Sequence, residues 1–306
     1  HEKRNYLFMK IGFLTPVVTI FDQDGNLDCQ GNLNVYEHLI AGGVDGIVLM
    51  GSTGEFFTMS MEQKKQLITL AVPAIKDRTR VLVGVSCMDY RETIELANFA
   101  KAAGAEAVMV IPPYYFALSD ASIESYLDRV AEGTDANIFI YNFPDRNGYD
   151  ISPSLTLSLA RKHKNIVGYK DTVINMDHTR ELIKLLRPEF PAFEIMSGYD
   201  DNFVHNVLSG GNGNIGALSN LAPEVTSALC TAVREKNVEE VVRLQRLVDR
   251  LMSLYAIGTP FMPYLKKAMM MRGVKIGEYC TVPFLPANPE EVAAMEQILK
   301  QTGLIG

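Results

Sequence analysis

Several reactive side chains stand where short apolar runs end. Lys170 closes Asn165-Ile166-Val167-Gly168-Tyr169-Lys170, and Tyr141 closes Ile138-Phe139-Ile140-Tyr141 just before Asn142-Phe143-Pro144. Tyr114 and Tyr115 follow a third run, and the turn Gly51-Ser52-Thr53-Gly54-Glu55 follows a fourth. A lysine at the end of an apolar strand is partly stripped of water, which favours the neutral amine that attacks a ketone to give an iminium. Two-residue alternation counted from Ile166 and Gly168 directs Lys170 inward. A phenol in the same place can move protons when a cation or a hydroxyl chain assists it. The Ser52-Thr53 turn offers successive backbone N–H groups and two hydroxyls, a nest suited to a carboxylate. Taken singly, each residue also has an ordinary reading. Lys170 could snorkel to solvent, Tyr141 could plug the core, and the turn could be a plain glycine-rich connection in which Glu55 ties the loop or caps the next helix.

The elements that must position these groups repeat about every 30 residues, the size of a βαβ unit. Candidate strands cover 13–20, 46–50, 80–85, 107–111, 137–141, 166–170, 193–197 and 214–218. They are short and apolar on both faces, as strands of a parallel sheet covered by helices must be. Between them lie amphipathic stretches such as 60–74, opened by the capping pattern Ser60-Met61-Glu62-Gln63, and 90–103, with apolar residues at three and four spacing. Eight such strands in order predict an α/β (β/α)8 TIM barrel, with a doubly wound sheet as the other topology of the same pattern. Helical patterns continue at 223–235, 238–254, 260–272 and 289–301, so the predicted organisation is a barrel over 9–235 and a C-terminal helical extension over 236–306. Residues 1–8 precede Met9, which reads as a natural start, and are set aside as appended sequence.

Composition narrows the chemistry. The chain has 306 residues, 47% of them hydrophobic, enough for one large core, and a formal charge of -7 with no clustered lysine and arginine to neutralise phosphates, so no nucleic-acid partner is expected. No stretch approaches the roughly 20 apolar residues of a membrane span, and no signal peptide is evident, which predicts a cytoplasmic protein. The four cysteines (Cys29, Cys87, Cys230, Cys280) form no CxxC pair, and the five histidines fall in predicted helices or at residue 1. Neither a metal site nor a histidine-based hydrolytic triad is therefore expected, which leaves lysine and tyrosine as the reactive groups. The run Gly210-Gly211-Asn212-Gly213-Asn214 reads either as a barrel phosphate loop or as a plain turn.

Gly51-Ser52-Thr53-Gly54-Glu55, Tyr141-Asn142-Phe143-Pro144 and Gly168-Tyr169-Lys170-Asp171-Thr172, in this order and spacing, resemble the dihydrodipicolinate synthase and N-acetylneuraminate lyase family from about Gly12 to the C-terminus. The resemblance implies a Schiff-base lyase in which Lys170 carries the substrate, Tyr141 is the acid/base, Thr53 relays protons, and Ser52 and Thr53 hold the keto acid's carboxylate. It implies pyruvate or a 2-keto acid and an aldehyde as partners, no cofactor, and a homotetramer built as a dimer of dimers in which Tyr115 reaches a neighbouring subunit's site. The Ile215 carbonyl is implied to lie near the substrate.

Two branches of the family compete. Arg146 in Pro144-Asp145-Arg146-Asn147-Gly148 matches the arginine with which the synthases bind aspartate semialdehyde. Gly198-Tyr199-Asp200-Asp201, the stretch 208–223 and Thr259-Pro260-Phe261 are closer to the 2-keto-3-deoxy sugar acid aldolases. Met61, Lys64 and Met88 stand where lysine-inhibited synthases carry histidine and asparagine, and Phe56 and Phe57 replace small residues, so feedback by lysine is not expected. The leading expectation is reversible aldol cleavage of a 2-keto-3-deoxy sugar acid. Dihydrodipicolinate synthesis, a dehydratase and a silent 2-keto-acid-binding barrel remain alternatives.

Overall fold

The computed structural model describes residues 10–306; residues 1–8 and Met9 lie outside the described residues. Eight strands close into a barrel in chain order: β1 (Gly12–Pro16), β2 (Gly46–Leu49), β3 (Arg80–Gly84), β4 (Ala107–Val110), β5 (Ile138–Asn142), β6 (Ile166–Asp171), β7 (Glu194–Ser197) and β8 (Gly213–Ile215). Almost every strand residue is buried, as continuous apolar runs in a helix-covered parallel sheet require. The predicted (β/α)8 fold and the helices that follow it are thus both present.

One compact unit contains Leu82–Ile215 together with residues 10–12 of the described chain. In it, α3 (Tyr90–Ala103), α4 (Asp120–Gly133), the single turn α5 (Pro144–Asn147), α6 (Pro153–Lys162), α7 (Asp177–Leu186) and α8 (Phe203–Leu208) alternate with strands β4 to β8. Leu182, Ile183 and Leu186 are the buried stripe of α7, and Ile123, Leu127 and Val130 that of α4. The helix expected at 90–103 has those bounds, with Asp89 accepting from the Arg91 N–H at one end and Gly104 in the left-handed conformation at the other. The turn 210–214 leads into the N-terminal end of β8, whereas barrel sites lie at the other end. Its groups serve the fold: Asn212 donates from its backbone N–H to the Ile195 carbonyl and accepts at Oδ1 from the Ile195 N–H and from Arg187. Gly213 is required there, because at φ 124° an added Cβ would lie 1.9 Å from the Gly12 carbonyl oxygen.

The second unit contains Phe13–Val81 and Gly216–Gly306. It holds β1, β2, α1 (Cys29–Ala41), α2 (Met61–Ile75), α9 (Pro223–Arg234), α10 (Val238–Leu251), α11 (Met262–Met271) and α12 (Pro289–Gln301). The expected capping box opens α2: the Ser60 side chain accepts from the Gln63 N–H while Gln63 accepts from the Ser60 N–H. Three boundaries differ from expectation by three residues or more. The apolar run 13–20 leaves the sheet after Pro16: Val17 still donates to the Val48 carbonyl at 3.0 Å, but beyond it side chains take over, Val18 donating to Asn220 Oδ1 at 3.1 Å and Ile20 to Asn32 Oδ1 at 3.1 Å. The run 214–218 leaves it at Ile215 and tightens into a 3-10 turn over Ala217–Asn220. The pattern 238–254 is helical only to Leu251, then winds more tightly through Met252–Ala256.

Candidate active site

Parallel strands in register present their paired side chains on the same face. On β5 and β6 the pairs are Ile138↔Ile166, then Phe139↔Gly168, Tyr141↔Lys170 and Asn142↔Asp171. The register slips by one residue between Ile138 and Phe139, so Val167 has no partner on β5. Gly168 is needed just after the slip, because an added Cβ would meet the Phe139 ring at 2.4 Å. Alternation counted from Ile166 therefore fails at that residue, which lies on the opposite face from Gly168 and Lys170. Inward placement of Lys170 follows instead from its neighbour Asp171, which bonds His178 and Thr179 of the covering helix α7 and so faces outward, while Lys170 shares the other face with Tyr141 and Met196.

Lys170 and Tyr141 are 4% and 2% exposed, and Lys170 Nζ lies 4.3 Å from the centre of the Tyr141 ring. At this distance a ring's negative face attracts the cationic form of a lysine. The Lys170 face continues through Met196 and Gly213 to Ile215, the fully buried last residue of β8. Asn142, Asp171, Ser197 and Asn214 follow one another on the opposite face, toward α7.

That outer face carries a polar network which motif reading missed. Asn142 Nδ2 donates to Asp171 Oδ1 at 3.0 Å and to Asp150 Oδ1 at 2.9 Å, and its Oδ1 accepts the Ile151 N–H at 3.1 Å. Asp171 is fully buried, and its Oδ2 accepts from Thr179 Oγ1 at 2.6 Å and lies 2.9 Å from His178 Nδ1. The other ring nitrogen of His178 lies 3.0 Å from the Ile151 carbonyl oxygen, to which Tyr169 also donates at 3.1 Å. Burial alone would pull the His178 imidazole down, but the Asp171 carboxylate, with a smaller push from Asp150, outweighs it and holds the ring above its ordinary value of 6.5. Asn142 and Asp171 directly follow Tyr141 and Lys170, so the network grips the ends of both strands. Adjacency in the two motifs was the available signal; nothing in the sequence points from Asp171 to His178.

Beyond β5, Arg146 is exposed on α5, with its guanidinium 5.2 Å from the centre of the Phe143 ring. Tyr199, after β7, donates to Asp145 Oδ2 at 3.4 Å and meets the Phe143 ring edge-on. Burial and the Asp145 carboxylate push its phenol up to about 12, so Tyr199 is a neutral hydroxyl at physiological pH. Tyr115 is turned to the surface, 80% exposed, in edge contact with Phe116.

In the other unit, Ser52 and Thr53 are half-buried in the 3-10 turn Ser52–Gly54 that follows β2. The turn is anchored at both sides of Gly54. The Gly54 carbonyl accepts from Thr19 Oγ1 at 2.8 Å, and Glu55 enters the left-handed region at φ 57° with its side chain fully buried. Glu55 Oε1 accepts from Lys266 Nζ at 2.5 Å, and Oε2 accepts from the backbone N–H and hydroxyl of Thr281, both at 2.9 Å. Of the two roles the sequence left to Glu55, tying the loop is the one observed, since α2 is capped by Ser60. Among the described residues no group of three or more His, Cys, Asp or Glu could hold a metal ion, and no helix is long and apolar enough to cross a membrane.

Comparison with known proteins identifies the family. The model of the dihydrodipicolinate synthetase family matches residues 9–302. The chain is 34% identical to the Escherichia coli K12 protein named "Putative 2-dehydro-3-deoxy-D-gluconate aldolase YagE", over 96% of this chain and 97% of the relative. It is also 34% identical to "Probable 2-dehydro-3-deoxy-D-pentonate aldolase YjhH" of the same organism, over 96% and 98%. A 4-hydroxy-tetrahydrodipicolinate synthase of Heliobacterium modesticaldum is 32% identical, with 95% of each chain covered. The crystal structure of YagE in complex with pyruvate superposes with a TM-score of 0.94, covering 98% of this chain and all of that one. The chain belongs to the dihydrodipicolinate synthetase family.

Proposed function

We propose that the protein is a class I aldolase that reversibly cleaves a 2-keto-3-deoxy sugar acid to pyruvate and an aldehyde, with Lys170 as the Schiff-base residue. The observation that carries this reading is the buried Lys170 amine 4.3 Å from the Tyr141 ring, on the inner barrel face and within this family. The neutral amine adds to the C2 carbonyl, and loss of water gives an iminium, with Tyr141 delivering the proton that the departing hydroxide takes. The iminium then accepts the electron pair of the breaking C3–C4 bond. The C4 hydroxyl passes its proton to the Tyr141 phenolate as the aldehyde leaves, and the enamine of pyruvate remains on Lys170. Protonation at C3 and hydrolysis return pyruvate and the free amine.

Ser52 and Thr53 are assigned the substrate carboxylate, through the N–H groups of their turn, and Thr53 a place in the proton relay. Ile215 is assigned contact through its carbonyl. The exposed ring of Tyr115 suits a role completed by a second subunit in a homotetramer. Covalent chemistry at a lysine supplies its own electron sink, so no metal or organic cofactor is required, and the four free cysteines suit a reducing, cytoplasmic setting.

Borohydride reduction in the presence of pyruvate should fix a stable adduct on Lys170 and abolish activity, and 2-keto-3-deoxygluconate should release pyruvate. Absence of the adduct would remove the central claim. One observation favours the synthase reading: Arg146 stands beyond the end of β5 as an exposed guanidinium that could bind a carboxylate two-pronged. If Arg146→Ala abolishes condensation of pyruvate with aspartate semialdehyde while sugar-acid cleavage is weak in the parent, the synthase reading replaces the aldolase one.

A further inference from the structure

We infer that His178 is a structural imidazolium and a positioning residue, whose two N–H bonds hold Asp171, and through it the Lys170 end of β6, in place. The inference rests on the proposed role of Lys170 only for its effect on catalysis. His178 Nε2 faces the Ile151 carbonyl at 3.0 Å, and a carbonyl can only accept, so this nitrogen must carry a hydrogen. The hydroxyl of Tyr169 fills that carbonyl's other lone pair at 3.1 Å. His178 Nδ1 faces Asp171 Oδ2 at 2.9 Å. The carboxylate already accepts from Asn142 Nδ2 at 3.0 Å and from Thr179 Oγ1 at 2.6 Å, so donors engage both of its oxygens. The proton between Nδ1 and Oδ2 therefore belongs to the ring, and both nitrogens donate.

Charge accounting agrees. The groups facing His178 are Asp171 and the Tyr169 ring from β6, with Asp150 and the Ile151 carbonyl from the segment before α6; none is cationic. Asp171 is fully buried, and a buried carboxylate needs a charge partner as well as hydrogen bonds. Lys170 cannot be that partner by placement, because consecutive strand residues point to opposite faces. His178 supplies the positive charge from α7, leaving the Lys170 amine for chemistry.

Ring-nitrogen NMR of the whole protein at pH 7 reads the claim directly: both His178 nitrogens should be protonated, and a neutral tautomer would overturn it. In Asp171→Asn the carboxylate is gone and an amide hydrogen faces Nδ1, so His178 should become the neutral tautomer protonated at Nε2; persistence of the imidazolium would also overturn it. For catalysis, His178→Leu strands the carboxylate and should lower kcat by about tenfold to a hundredfold, more than it raises the pyruvate KM. Asp171→Asn/His178→Leu removes both charges and should recover part of that loss. A double variant no better than His178→Leu would mean that His178 merely fills space. Failure of borohydride trapping in the parent would sink the proposed reaction but leave the NMR result standing, so the two claims fail separately.

Discussion

Lys266→Met should separate a stability role from a substrate role for the ion pair beneath the Ser52-Thr53 turn. Both Glu55 and Lys266 are fully buried. Removing the ammonium leaves the Glu55 carboxylate with two of its three donors, the N–H and hydroxyl of Thr281. Breaking a buried pair by removing one partner costs about 3–5 kcal/mol, and the surviving Thr281 bonds place this variant near the lower end, about 3 kcal/mol. Glu55→Gln should cost more, about 4–5 kcal/mol, because the buried ammonium loses its charge partner and is left with neutral neighbours such as the Tyr279 carbonyl at 3.0 Å and the Phe21 ring at 5.3 Å. The double variant Glu55→Gln/Lys266→Met strands no charge and should cost less than either single change, since a buried pair replaced by neutral groups of similar volume is often close to neutral. At roughly 2 °C per kcal/mol for a chain of this size, thermal unfolding should read losses of about 6 °C and about 8–10 °C for the singles and a few degrees for the pair. Because Glu55 sits in the left-handed region directly after Ser52–Gly54, its displacement should raise the pyruvate KM and, through the Thr53 relay, lower kcat. A double variant whose loss equals the sum of the singles would refute the coupling, and an unchanged pyruvate KM would refute the link to the turn.

Tyr141→Phe should lower kcat by about 10²–10⁴-fold, the usual contribution of a positioned acid/base, while prolonged incubation with pyruvate and borohydride still labels Lys170; steady-state and trapping assays together check this. Gly168→Ala should destabilise the protein by about 1–3 kcal/mol, because the new methyl meets the Phe139 ring at 2.4 Å, and adding Phe139→Leu should restore part of the loss in urea unfolding. His178 is held above its ordinary value in the folded protein, so its contribution to stability is fully present below pH 6.5 and is lost as pH rises through the raised folded value. The stability gap between the parent and His178→Leu should therefore shrink as pH rises above 6.5, and a gap that widens there would contradict the ion pair.

Much of the fold is legible because it rests on local pattern. Strands such as β2 and β4 are buried on both faces and so carry unbroken apolar runs, and α2 and α3 announce themselves by caps and by three-and-four spacing. Boundaries were less legible where a distant side chain takes over the backbone. Residues 17–20 have the composition of a strand, but Asn220 and Asn32 bind the N–H groups of Val18 and Ile20, and no window of neighbouring residues contains that fact. The Glu55–Lys266 pair spans 211 residues, and a lysine inside α11 reads as an ordinary helix former until the fold buries it.

At the candidate site, the sequence by itself determined the reactive types and their strand-end positions: an amine at Lys170, a phenol at Tyr141, and a hydroxyl-bearing turn at Ser52 and Thr53. It could not determine which of them are neighbours. Unbroken pairing from Ile138↔Ile166 would have set Lys170 beside Asn142, whereas the slip at Val167 sets it beside Tyr141 and turns it to the inner face. Side chains along a strand alternate with period two, so a one-residue shift exchanges the faces. Such a shift depends on how two strands dock, including the Phe139 ring filling the space above Gly168, and only the tertiary structure carries that information.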